Sequence, residues 1–532
     1  MDTYLRVNSL GYLPTDQKIG LAMTNLDLTG KQFQVSTSTG SMAAGPIGKD
    51  RGPYAAFLHL YEMDFTSFNT PGIYFLQVEN NQSDPFEISS QIYQPLIPLT
   101  LQFFQVQRCG SAPAEKHDQC HLSDGVIKGS PQNGRKIDTT GGWHDAGDYL
   151  KFLSTTAFSL DMMLTAYIQQ PEVFQSEDQQ KTPAVLQEAQ IGLDWIYKMW
   201  NPTSSLLFYQ VGDASDHETW RLPEADQDKP ARPVWPVSEG KGANLAGKSA
   251  AAMALASVIW GDKTQPYYDR DYARKMLTSA ESLYKYGKKR PAAQSSEGFY
   301  VETSWSDDMA LAAAELYRAT KNTVYLRDAR AYAFEAGSAG GLNWSSLHGL
   351  AHYELAKLDL NSMAQSRQFL EADLMPAEKF SRENPFKTGL DQFFWGSNET
   401  LAGLALEAIW YEDLTLNQRF LPIAQNHRDY IFGVNPWGVC WVSKACLGVM
   451  PLHPHHQIAD LANYNLPGFW DEGPVPMAEF EVSGIQLDNP DEFALFQDKT
   501  AVYHDDRADY MTNEPTIAMN AIGLALASWS IK

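Results

Sequence analysis

The hydrophobic rhythm of this chain changes once, near residue 90, and that change limits the fold more than any other feature. Before it, residues 4–88 form short β-rich runs such as Tyr4-Leu5-Arg6-Val7, Gln32-Phe33-Gln34-Val35 and Ile73-Tyr74-Phe75-Leu76-Gln77-Val78. Turn signals such as Pro71-Gly72 and Asn80-Asn81 separate them. This spacing predicts an all-β sandwich over residues 1–90. After it, over residues 91–532, apolar residues recur at helical spacing. Ala243–Trp260 is Ala-rich and stops at Gly261, a composition that lets neighbouring helices approach closely. Met309–Thr320 repeats its apolar face through Leu311, Ala314 and Tyr317. Residues 184–200, 267–287, 398–411 and 415–432 read as helices, and a last one is expected from about Asn513. Roughly a dozen helices predict one large α domain. A closed toroid of helix pairs and an open solenoid both fit that periodicity, and there is no clean sequence repeat.

The net charge of −23 excludes a nucleic-acid partner, because phosphate binding needs a positive surface. An anionic membrane would repel the chain, and no apolar run reaches the ~18 residues of a spanning helix. Four cysteines in 532 residues are too few for a disulfide scaffold. The opening MDTYLRVNSLGY has no basic and apolar leader, so a cytoplasmic location is expected. A polymeric substrate would then arrive as short soluble pieces.

The irregular stretches carry the chemistry. Gly141-Gly142-Trp143-His144-Asp145-Ala146-Gly147-Asp148-Tyr149 sets two carboxylates three residues apart among small residues, with aromatics alongside. Such a pair can hold and deprotonate one water. A solvated Asx turn or a calcium loop is the bland alternative. In Tyr503–Pro515, Glu514 stands where the last helix is expected to start, with Asn513 as N-cap and Pro515 in the first turn. A helix-start glutamate has a lowered pKa, whereas burial among Asp505, Asp506 and Asp509 would raise it and make Glu514 an acid. His453-Pro454-His455-His456-Gln457 lacks the i, i+4 spacing of a zinc helix and suits imidazoles presented to sugar hydroxyls. Cys109, Cys120, His121 and His144 make a complete tetrahedral zinc set of structural type, leaving no open position. Cys440 and Cys446 read as ordinary reduced thiols.

Together these segments resemble glycoside hydrolase family 9, the family of many cellulases, over nearly the whole chain. Val7–Tyr12, Gln107–Gly110, Gly141–Asp148, Gln210–Asp213, Trp395–Asn398, Gly433–Pro436 and Pro454–His456 follow in family order. The C-terminal signature matches at Tyr503, Asp505, Tyr510, Glu514, Thr516, Asn520 and Ala521. The resemblance implies an N-terminal immunoglobulin-like β-sandwich and an all-α (α/α)6 barrel that hydrolyses β-1,4 bonds with inversion. Asp148 would be the general base, Asp145 would help hold the water, and Glu514 would be the general acid. An inverting pair of carboxyls stands roughly 6.5–9.5 Å apart. His455, with Trp395, Asp505 and Tyr510 from the matched segments, would meet the sugar. Some members hold a structural zinc on two cysteines and two histidines.

The chain departs from the family in three places. Gln457 stands where cellulases have a substrate-binding arginine and is expected to meet the sugar in its place. Trp470-Asp471-Glu472-Gly473-Pro474 replaces a glycine-rich segment. Asn244 and Lys248 replace an Asp and a Glu, which puts a common calcium site in doubt. A lost cation and gained acids, Asp471 and Glu472, suit a cationic sugar, unless those acids are solvated. The expectation is therefore an exo-acting β-glucosaminidase on chitosan-type oligosaccharides. The competing readings are an endoglucanase or cellodextrinase on β-1,4-glucans, and a non-catalytic carbohydrate-binding protein on the same scaffold.

Overall fold

The computed structural model describes residues 3–531 except 130, 131, 176, 177, 179, 180, 228 and 297. Its N-terminal part is built of two antiparallel sheets. Ile19–Thr24 lies between Tyr4–Arg6 and His59–Asp64 in one. In the other, Gln32–Thr37 joins Gly40–Pro46 to Gly72–Val78, which also pairs with Asn81–Gln82 and Phe86–Ile88. Alternation decides what is buried. Tyr74, Leu76 and Val78 point inward along one strand and Phe33 and Val35 along its neighbour, and they share a core with Tyr61, Met63 and Phe86. This is the expected immunoglobulin-like sandwich.

The rest of the chain is a closed double ring of helices. The inner six are Leu153–Gln169, Ala243–Trp260, Ser306–Thr320, His348–Leu358, Ser397–Thr415 and Ile517–Ser530. Each packs on the next and the last returns to the first, so the ring closes and the open solenoid is ruled out. They are buried on nearly every face, which is why their sequences show little amphipathic bias. Gly247 shows how close the packing is: a Cβ there would lie 2.6 Å from the Asp308 carbonyl carbon. The outer six are Leu96–Gln107, Ala184–Lys198, Arg270–Lys288, Thr323–Ala336, Met363–Glu383 and Leu421–Ile431. Arg270–Lys288 is a clear outer helix, burying Ala273, Met276, Ala280, Leu283 and Gly287 at i, i+3 and i+4 spacing. The architecture is an (α/α)6 barrel. Among the described residues no helix is long and apolar enough to cross a membrane.

The first turn after the opening strand docks the two parts. The Ser9 amide donates to the Phe432 carbonyl at 2.9 Å, and Asn8 Nδ2 donates to Asp429 Oδ1 at 2.9 Å. Gly433 is required there, since a Cβ would meet the Val7 carbonyl oxygen at 2.6 Å.

Two expectations need correction. Cys440 and Cys446 are not free thiols but a disulfide, within a loop whose two Cα atoms lie 6.4 Å apart, inside bonding reach. The last helix starts at Ile517, later than expected. Thr516 is its N-cap, its hydroxyl accepting from the Met519 amide, so Asn513 and Pro515 play no capping part. Asn244 and Lys248 do not simply remove charge: the Lys248 ammonium lies 2.6 Å from Glu302 and 3.0 Å from Asp308, a resident cation between buried acids.

Candidate active site

The candidate residues gather at the end of the barrel where the inner helices begin. Asp145 and Asp148 precede Leu153–Gln169, Trp395 precedes Ser397–Thr415, and Glu514 precedes Ile517–Ser530. The amide ends of those helices favour negative charge at this face.

Backbone bonds staple the loops together. The Ile517 amide donates to the Asp145 carbonyl at 2.9 Å, Gln457 to Gly147 at 3.0 Å, and His455 to Asn513 at 2.7 Å. Gly147 is the crossing point. A Cβ there would stand 2.0 Å from the His455 carbonyl oxygen and 3.1 Å from Glu514 Oε1. The small residues between Asp145 and Asp148 therefore admit a neighbouring strand of chain.

The three carboxylates have different surroundings. Asp145 is buried and accepts from the Thr155 hydroxyl and, at 2.5 Å, from the Tyr300 hydroxyl. Burial pushes it up to about 7 against these donors, with the charges of Asp148 and Glu472 adding to the rise. Asp148 accepts from the Leu150 amide at 2.6 Å, and its other oxygen lies 2.8 Å from His217 Nε2. Burial pushes Asp148 up, but the hydrogen bond and charge of His217 outweigh it, so its carboxyl lies below the ordinary value. The same bond raises His217. Glu514 accepts one amide hydrogen bond, from Gly147 at 3.0 Å. Burial, then the charge of Asp148, holds it well above the usual carboxylate range, with Asp145 and Glu472 contributing. The neighbours that raise Glu514 are thus Asp148, Asp145 and Glu472, and not Asp505, Asp506 and Asp509. Those three aspartates serve loop geometry, accepting from Leu452, His453, Asn489 and Thr512.

The expected sugar contacts divide. Trp395 is 47% exposed and its ring lies 5.6 Å from Tyr510, which faces His455 at 5.9 Å. His455 also meets the Trp220 ring edge at 5.1 Å. These four rings form an aromatic wall suited to pyranose faces. Gln457 is not in it: the residue is buried, and its Oε1 accepts from the Arg221 amide at 3.2 Å. Asp471 is wholly buried beside the Tyr503 hydroxyl, and Asp505 is occupied by backbone amides. Glu472 lies nearer the cleft, accepting from the Thr516 hydroxyl at 2.6 Å. Neither Asp471 nor Glu472 is a solvated loop acid, since both are buried. His456 is a core residue bonded to Gln107. Tyr300, Thr155, His217, Trp220 and Glu399 were not legible as site residues; only Glu399 adjoins a matched segment, Trp395–Asn398.

Cys109, Cys120, His121 and His144 converge with all four ligand atoms within 4.8 Å of one another. The two sulfurs are 3.9 Å apart, close to the edge of a tetrahedron built on Zn–S bonds of about 2.3 Å. His121 turns its Nε2 to Asp226 at 3.1 Å, the carboxylate support that metal-bound imidazoles usually have. The donor set fits a structural zinc, with His144 adjoining Asp145.

The comparisons agree with this fold. The family model for glycosyl hydrolase family 9 matches residues 93–527, and that for the cellulase N-terminal Ig-like domain matches residues 2–83. The chain is 26% identical to a xyloglucan-specific endo-beta-1,4-glucanase of Bacteroides ovatus, covering 98% of this chain and 93% of that one. It is 28% identical to Endoglucanase 14 of Arabidopsis thaliana over 81% of this chain and 92% of that one. Its fold matches a metagenome-derived glycoside hydrolase family 9 endoglucanase with a TM-score of 0.83 at 24% identity, covering 100% of this chain and 99% of that one. It also matches a Zn-binding triple mutant of the family 9 endoglucanase J30, with a TM-score of 0.82 at 22% identity over 98% of this chain and 99% of that one. The chain is a glycoside hydrolase and belongs to glycosyl hydrolase family 9.

Proposed function

We propose that this enzyme cleaves β-1,4 bonds of soluble oligosaccharides with inversion, and that its substrate is a chitosan-type oligosaccharide from which it releases glucosamine. The observation that carries the mechanism is the opposite displacement of Asp148 and Glu514 across Gly147. Glu514, held well above its usual range, keeps its proton and gives it to the departing glycosidic oxygen. Asp148, held down by His217, is ionised and takes a proton from water. Asp145, fixed by Thr155 and Tyr300, orients that water. As the bond to the leaving oxygen breaks, the water oxygen bonds to the opposite face of the anomeric carbon, and Asp148 ends protonated and Glu514 ionised. The aromatic wall of Trp395, Tyr510, His455 and Trp220 seats the ring.

The amino-sugar reading rests on Glu399, Asp471 and Glu472, buried acids that make no ion pair among the described residues. A cationic ligand draws such acids into their ionised form and pairs with them, whereas glucose does not. The relatives' names favour a β-1,4-glucan instead. Product analysis with both substrate series separates the two. Release of glucosamine monomers from chitosan oligosaccharides, with little action on cello-oligosaccharides, supports the proposal. Internal cleavage of the cello series without action on chitosan overturns it. We further propose that zinc on Cys109, Cys120, His121 and His144 fixes the loop carrying Asp145, as a purely structural ion.

A further inference from the structure

We propose that Glu399 and Glu472 are the paired carboxylates that receive the ammonium group of the sugar, an inference resting on the amino-sugar reading above. They come from distant parts of the chain and meet through Asn398. Its amide donates to the Glu472 carbonyl at 3.0 Å and its Nδ2 to the Asp471 carbonyl at 3.1 Å. Each carboxylate is gripped by one oxygen only. Glu399 Oε1 accepts from the Trp344 amide at 2.5 Å, and Glu472 Oε1 from the Thr516 hydroxyl at 2.6 Å. The second oxygen of each accepts no hydrogen bond among the described residues, although the two residues are only 2% and 4% exposed. Neither of these oxygens is sealed from solvent, so a ligand can reach both, and neither has a protein partner to give up.

The pair lies on the wall of the sugar site. Gly396 has φ +89°, and a Cβ there would come within 3.2 Å of Glu472 Oε2, so the free oxygen lies directly beside the residue that follows the exposed Trp395. On the other side, Trp344 packs its ring against Tyr300 at 4.8 Å, and Tyr300 holds Asp145. The paired acids are thus linked on one side to the segment of the exposed Trp395 and on the other, through Trp344 and Tyr300, to Asp145.

Two adjacent buried carboxyls cannot both ionise cheaply. Burial and then the charge of Glu472 hold Glu399 well above its usual range, and burial raises Glu472 to about 7. Near pH 6 and without ligand both carboxyls therefore hold their protons. An arriving R–NH3+ donates to both free oxygens, both carboxyls ionise, and their protons leave to solvent. A neutral hydroxyl at the same position accepts or donates a hydrogen bond and displaces no proton.

Calorimetric titration of the wild-type enzyme with glucosamine near pH 6, in buffers of different ionisation enthalpy, measures those protons. Net release of up to two protons per site is expected with glucosamine and none with glucose. Glu399→Gln, nearly isosteric, should cut the release to at most one proton and raise KM for the glucosamine disaccharide by about 10- to 100-fold, with kcat changed much less. Unchanged KM in the variant, or buffer-independent binding heats in the wild type, overturns the assignment. Wild-type enzyme that cleaves cello- but not chitosan oligosaccharides instead overturns the amino-sugar reading itself. Cleavage of the glucosamine disaccharide by both wild type and Glu399→Gln with equal KM spares that reading and removes only the paired-acid subsite.

Discussion

The amide of Gly147 donates to Oε1 of Glu514 across 3.0 Å, joining residues 367 positions apart. This one bond brings the glutamate onto the aspartate loop and fixes which oxygen it turns toward the protein. The site is assembled by such crossings, and the loops would not stand alone.

Replacing Glu514 with Gln keeps that hydrogen bond and removes the proton. Turnover should fall by roughly 10²- to 10⁴-fold with Tm little changed, and Asp148→Asn should do the same. Steady-state rates on a glycoside with a poor leaving group, together with circular dichroism melts, check both. Near-normal turnover in either variant removes that residue from its assigned role.

His217 sets the acid side of the pH profile. Its bond holds Asp148 below the ordinary carboxylate value, so Asp148 stays ionised to lower pH than an unassisted aspartate. Removing the imidazole in His217→Ala lets burial act unopposed and raises Asp148. The acid limb of kcat/KM should therefore move to higher pH, while the alkaline limb, which follows loss of the Glu514 proton, stays in place. An unmoved acid limb would assign it to another group.

Tyr300→Phe removes one of the two hydroxyls that hold Asp145. A hydrogen bond to a charged group contributes about 1.5–3 kcal/mol, so a loss of roughly 10- to 100-fold in kcat is expected if the water is oriented from Asp145. Thr155→Val should act in the same direction. Rates above half of wild type in both variants would contradict that role.

Lys248 stands between Glu302 and Asp308 in a buried position. Lys248→Met leaves two buried acids without their cation and should destabilise the protein by about 3–5 kcal/mol. A denaturant titration measures it. A loss under 1 kcal/mol would mean that the acids simply take up protons.

Much of this was readable beforehand, for identifiable reasons. Asp145 and Asp148 lie in one short loop, Glu514 sits in a long matched signature, and the two cysteines and two histidines are near one another in the chain. Tyr300 and His217 gave no signal because each acts through a partner on another loop; Tyr300 and Asp145 are 155 positions apart. Gln457 was misread because a polar residue beside two histidines looks like a ligand contact, whereas its side chain is used against the Arg221 backbone. The thiols of Cys440 and Cys446 were misread because spacing alone does not reveal that the intervening loop folds back on itself. Leu153–Gln169 is buried on nearly every face yet carries Thr155, Ser159, Asp161 and Thr165, so no amphipathic stripe marked it, whereas the Ala-rich Ala243–Trp260 is found at its expected bounds.

Zinc is checked by metal analysis of the purified protein and by chelation. One zinc per chain is expected, with a lower Tm after removal and in Cys120→Ser. Wild-type protein isolated without metal and with the melting behaviour of Cys120→Ser would contradict a structural zinc.

The account turns on Glu514 giving a proton while Asp148 drives water onto the opposite face of the sugar. Proton NMR of the first minutes of oligosaccharide cleavage, before mutarotation, reads this directly. The α-anomer as the first product from a β-linked substrate is the predicted result; the β-anomer as the first product would contradict the account.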